Sequence, residues 1–156
     1  MRKLLLLALT HGAVLAVGIK LGIYLLPILT APAAPTAGDV TAEAGKAAFK
    51  GEFRRNLKDS DFLHWGEGTV SVSPSAVALM GKIAPGPDYK LYFSPEFVET
   101  EADFMRLKPK MARAGDVKTF ENFIVPVPAG LDPNAYTTVI VWCESFGQFI
   151  TAARYR

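Results

Sequence analysis

The chain has 156 residues, of which 50% are hydrophobic, 21% charged and 11% aromatic, with a formal net charge of +2. A disordered tail, a coiled coil and a multi-bridge disulfide scaffold are excluded, the last because there is a single cysteine. Up to Gly38 the only charges are Arg2, Lys3 and Lys20; beyond it 14 basic residues stand against 15 acids, so no strongly basic surface is available and nucleic acid is not expected as a partner.

Leu4 to Leu26 is an almost unbroken apolar run of 23 residues behind Met1-Arg2-Lys3. As a helix it is about 34 Å long, enough to cross a bilayer. Arg2 and Lys3 flank one end while Asp39 and Glu43 follow the other. The positive-inside rule then places the N-terminus in the cytoplasm and the remainder on the periplasmic or extracellular side of the cell (inner) membrane, as a single-pass protein. Ala31-Pro32-Ala33 offers small residues for a signal-peptidase cut, but a secretory apolar core runs only about 7 to 15 residues, so a retained anchor over residues 1–30 is the expectation. No cysteine lies near this segment, which excludes a lipoprotein anchor. Lys20 can lift its ammonium to the interface beside Tyr24, and His11 is read as neutral with a local hydrogen bond. Gly18 and Gly22 form a small-xxx-small face through which two anchors could pair as a weak homodimer.

Residues 31–48, rich in Pro, Ala and Gly, read as a semi-extended spacer that holds the following domain off the membrane. Residues 49–156 are enough for one core and too few for two. Periodicity there is mostly two. Thr69 to Ser73 puts Val70 and Val72 on one face, and Tyr89 to Phe93 does the same for Tyr89, Leu91 and Phe93. Val77 to Met80, Phe123 to Val125, Thr137 to Cys143 and Phe149 to Ala153 are short apolar runs bounded by Pro, Gly or Asn. The fold class expected is all-β, an antiparallel sandwich or barrel-like domain, after one transmembrane helix. Ser94-Pro95 reads as the cap and first residue of a short helix carrying Phe97, Glu101, Phe104 and Met105 and ending before Pro109.

Two residues beyond the anchor have chemical reach, Cys143 and His64. Alternation along Thr137 to Cys143 puts Val139, Val141 and Cys143 on one face and Thr138, Ile140 and Trp142 on the other. Cys143 is read either as a small buried hydrophobe or, because an unpaired thiol outside the cytoplasm must be shielded, ligated or used, as a reactive or ligating atom. His64, just before a strand, either bonds a loop or serves the thiol by tuning its pKa or sharing a metal or haem. An intermolecular disulfide through Cys143 is disfavoured by its place inside a sheet. Glu96, Glu99, Glu101 and Asp103 match no calcium loop and read as a solvated face. No Gly-rich phosphate loop, G-x-S-x-G elbow or H-E-x-x-H occurs, so a hydrolase is not expected.

Gly51-Glu52-Phe53, His64 with Gly68-Thr69-Val70, Gly86 to Ser94, Tyr136 to Cys143, Phe146 to Phe149 and Ala152-Ala153 together resemble the DM-thirteen domain. This family occurs beside DOMON domains in Skeletor-type animal proteins and in short membrane-anchored bacterial proteins. The resemblance spans roughly Gly51 to Tyr155 and implies a β-sandwich-like domain for extracytoplasmic electron transfer or thiol redox chemistry. It assigns the family's cysteine, as a bare thiol or as ligand to a group such as haem, to Cys143, with His64 as its partner. Trp142 and Phe146 are expected to pack around the thiol. The cofactor is left open between haem, another redox group and none. No DOMON module accompanies the domain here, so the resemblance implies a separate redox partner protein. The alternative reading is a non-catalytic cell-envelope binding module in which Cys143 is core packing.

Overall fold

The computed structural model covers residues 1–156. Its first element is α1, Arg2–Thr30, a helix of 29 residues with no acid in its first turn. It is long and apolar enough to cross a membrane, and Leu4, Leu5, Val14, Leu15 and Leu29 all lie exposed on it. This suits a single-pass membrane protein, with α1 as anchor or signal. His11 makes the expected local hydrogen bond, with Nδ1 2.8 Å from the Leu7 carbonyl one turn back.

Residues 31–48 differ from the extended spacer expected of them, because α2 occupies Ala37–Ala44. The cause is a capping box: the Asp39 amide donates to Thr36 Oγ1 (3.2 Å) while the Thr36 amide donates to Asp39 Oδ2 (2.9 Å). Once wound, the helix buries Val40 to 1% exposure against the strands that follow. Only short stretches on either side stay extended.

Eight strands then form two antiparallel four-stranded sheets. One has the order β1 (Phe49–Phe53), β2 (Gly66–Val72), β3 (Ala76–Ile83), β6 (Glu121–Pro126); the other has β5 (Ala112–Val117), β4 (Tyr89–Ser94), β7 (Thr138–Cys143), β8 (Gln148–Arg154). The expected sandwich is therefore present. Period-two side chains from both sheets meet in a core of 20 buried residues that includes Val70, Val72, Leu79, Leu91, Phe93, Phe123, Val139, Val141 and Cys143. Gly68, at φ +120, faces Gly81 across the β2–β3 ladder. A Cβ on Gly81 would run into the Glu67 carbonyl, so this close approach requires glycine.

The short helix is present with a later start. Ser94 is held in β4 by pairing with Thr138, and its hydroxyl donates to the Glu96 carbonyl at 2.7 Å. The cap passes to Thr100, whose Oγ1 accepts from the Asp103 amide, and α3 runs Glu101–Leu107 before a 3-10 turn at Lys108–Lys110. Phe104 and Leu107 of α3 seal a second apolar cluster on the outer face of the β4–β7–β8 sheet, with Trp142, Tyr92, Ile140 and Phe149. Phe104 stacks on Trp142 at 3.8 Å and 9°.

Strand directions sort the loops into two ends. The start of β2, the end of β3, the start of β4, the β5–β6 turn and the β7–β8 turn gather at one end. The chain from α1 arrives at this same end, where Asn122 at the start of β6 (φ 49) donates from Nδ2 to the Pro35 carbonyl and accepts from the Gly81 amide on Oδ1.

Candidate functional site

Cys143 closes β7 at that end, paired with Tyr89 on one side and Gln148 on the other. Its side chain faces the intersheet core and is 3% exposed. The thiol donates to the Pro87 carbonyl at 3.0 Å. That carbonyl is fixed by a clamp between the loop before β4 and the turn after β7: the Glu144 amide donates to the Asp88 carbonyl (3.1 Å) and Ser145 Oγ donates to Asp88 Oδ2 (2.7 Å). Asp88 takes a left-handed backbone (φ 56), which aspartate tolerates. Gly86 is needed beside it, since a Cβ there would strike the Tyr89 hydroxyl.

Burial pushes the thiol up, and the nearby Asp88 and Glu144 carboxylates push the same way. Backbone amides of Phe146 and Ser145, which favour the thiolate, offset this only in part. The thiol is thus protonated at neutral pH, hydrogen-bonded, and provided with two amides that would accept negative charge on sulfur.

His64 is built from an Asx-type turn. Asp61 Oδ1 accepts from the Leu63 (2.7 Å) and His64 (2.8 Å) amides, and Asp61 Oδ2 lies 3.0 Å from His64 Nδ1. Desolvation raises the Asp61 carboxyl, but the His64 ring and the two amides outweigh it and bring its pKa below the usual carboxylate range. With Nδ1–H on Asp61, Nε2 is the ring nitrogen left with its lone pair.

The two predicted residues, 79 positions apart in sequence, line one cavity. Its volume is about 630 Å³ and its wall is mostly apolar, with Leu63, Tyr89, Phe146 and Ile150 around Cys143 and His64. An irregularity in β7–β8 pairing between Val141 and Trp142 leaves Ile150 unpaired and turned to the core, while Phe149 faces outward. Phe146 lines the cavity with the thiol, as expected of it. Trp142 does not: pleating turns it to the opposite face, under α3. Lys20, Ile23 and Tyr24 of α1 complete the wall, a contribution that a reading of α1 as anchor alone could not supply.

The acids Glu99 and Asp103 are engaged locally, Glu99 with Lys58 at 3.4 Å and Asp103 with Arg106 at 3.0 Å, and no group of three or more His, Cys, Asp or Glu is arranged to hold a metal ion.

The profile of the family described as Electron transfer DM13 matches residues 56–155, well over half of the chain. The chain belongs to the electron transfer DM13 family. No curated protein and no solved structure matches it. The DM13 domain here is the sandwich just described, lacking only β1 within the matched span, and its general role is electron transfer.

Proposed function

We propose that this DM13 domain is held at the outer face of a membrane by α1 and carries electrons at the Cys143–His64 cavity, through a group bound there. The observation that carries the reading is the meeting of the chain's one thiol and its one imidazole beyond α1 in a single, largely apolar cavity of about 630 Å³.

The donor set is tested by its chemistry. A thiol and an imidazole alone do not make a protein-only metal site, but they fit a group that brings most of its own ligands, as haem does. Cys143 Sγ and His64 Nε2 would hold it, with Leu63, Tyr89, Phe146 and Ile150 excluding water. When bound, such a group supplies a one-electron centre. The chain's own part is positional: Asp61 orients the imidazole, the Asp88–Ser145 clamp fixes the loop over the sulfur, and the Ser145 and Phe146 amides stabilise thiolate as the proton leaves. A separate redox partner protein would then deliver or remove the electron.

The test is an absorption spectrum with metal analysis on full-length protein extracted from membranes after expression with haem and metals supplied. A visible band lost in Cys143→Ser and weakened in His64→Ala is expected. Colourless, metal-free protein overturns the bound-group reading. A thiol that then reacts under native conditions would return the chemistry to bare Cys143.

The second reading, an envelope binding module with Cys143 as packing, is favoured by the 3% exposure of this residue within the 20-residue core. It expects Cys143→Ser to cost about 1–3 kcal/mol of stability and no redox phenotype.

A further inference from the structure

Three of the five exposed large apolar side chains beyond α1 lie in loops at the cavity end of the sandwich. Beyond α1 the exposed large hydrophobic side chains are Phe62 (84%), Met105 (57%), Phe146 (53%), Leu63 (39%) and Met80 (36%). Phe62, Leu63 and Phe146 lie in loops at the cavity end, and Leu63 and Phe146 form part of the cavity wall. At the opposite end, loops 73–75 and 127–137 expose none, and the β4–β5 connection exposes only Met105, on α3.

Chain connectivity ties this end to α1. Four residues stand between Thr30 and Pro35, and the five steps have an extended reach of about 17 Å. Pro35 is bonded to Asn122 at the cavity end, and Pro32, Ala33 and Pro35 lie in a groove against β5 and β6. A bilayer's hydrocarbon takes about 20 helical residues; counted from Leu4, these end at Ile23. The α1 residues in the cavity wall, Lys20, Ile23 and Tyr24, therefore fall at the outer edge of that hydrocarbon, with a lysine and a tyrosine suited to the interface.

Most acids at this end are paired with a cation, which limits bare negative charge against lipid headgroups. Asp88 is bonded by Lys90 and Ser145, Glu144 by Lys108, Glu121 by Lys82, and Glu67 by Arg55, whose guanidinium also lies 3.3 Å from the Trp65 ring centroid; Asp61 is hydrogen-bonded by His64 and two backbone amides.

We infer that the cavity end is a membrane-docking face: Phe62, Leu63 and Phe146 enter the interfacial layer of the bilayer that α1 crosses, so that the cavity opens toward lipid. The inference rests on α1 spanning the membrane and is independent of what Cys143 does. Joined to the electron-transfer reading, it makes the lipid phase the source of whatever enters the cavity.

The experiment uses full-length protein in phosphatidylcholine vesicles, with tryptophan introduced as Phe62→Trp at the docking face or Ala129→Trp at the far end. Each is compared with the parent chain in plain and brominated lipid, and alkaline carbonate extraction scores insertion of α1. Expected is loss of most of the added fluorescence for Phe62→Trp and none for Ala129→Trp, in carbonate-resistant protein. Carbonate-resistant protein in which neither added tryptophan is quenched, or both are quenched alike, overturns the docking face and leaves the anchor standing. Protein released by carbonate overturns both.

Discussion

Cys143 and Trp142 are consecutive residues of β7, and both are almost fully buried, yet they have opposite surroundings. Trp142 is sealed under α3, stacked on Phe104 and flanked by Tyr92 and Phe149. Cys143 sits where the intersheet core opens into a cavity shared with His64. One step along the strand separates a sealed side chain from one that lines a cavity. Burial alone does not distinguish the two; what lies beyond the side chain does.

The sharpest way to break this contrast is at the sealed side. Trp142→Ala removes the largest fully buried side chain from its cluster, and a loss of about 3–5 kcal/mol is expected in denaturant unfolding. Conservative Trp142→Phe should retain the fold and the spectrum of any bound group. Cys143→Ser should invert the pattern, with about 1–3 kcal/mol of stability at risk and the redox signal lost. Equal stability losses for Trp142→Ala and Cys143→Ala, with redox behaviour untouched, would mean that both residues are packing.

A smaller effect is expected at α2. Val40→Ala strips two methyl groups from the plug against the β3–β6 face, for about 1–2 kcal/mol by the same unfolding measurement. No change there would show that α2 rests on the sheet without stabilising it.

The smallest effect is one of pH. Burial opposes ionisation of Glu144, but Lys108 Nζ at 2.8 Å and the Tyr92 hydroxyl overcome it and set its pKa below the ordinary 4.5. A carboxyl depressed in the folded state adds stability above the unfolded value and loses it as pH falls through the folded one. Denaturant midpoints should therefore decline below about pH 4.5, and Glu144→Gln should flatten that decline. Identical acid limbs in the two proteins would remove Glu144 from the account.

Six strands could be read from alternation or short apolar runs, because β2, β3, β4, β6, β7 and β8 bury one face or both. β5 could not: Ala112-Arg113-Ala114-Gly115-Asp116-Val117 is an edge strand of small and polar residues, specified by pairing with β4 rather than by its own pattern. β1, with Gly51 at its centre, offers as little to periodicity. α2 hides in a Pro/Ala/Gly composition whose one informative pair, Thr36 and Asp39, acts only through capping geometry. At the site, Cys143 and His64 stand out by chemical type, but their convergence depends on the order of strands within and between sheets. Phe62, Leu63 and Phe146 are the hardest to foresee, since apolar residues in a sequence first suggest a core; only the fold leaves them outside it.

The hydrogen bond from Asn122 to Pro35, with the docked α2 behind it, also has a kinetic meaning. A domain on a long flexible leash sweeps a volume and finds its counterpart by searching. Here the leash is cinched within a few residues of α1, so the domain has almost no search of its own. In the proposed orientation, a membrane-bound redox counterpart of the kind proposed would meet the domain by lateral diffusion, and exchange rates would follow its two-dimensional density.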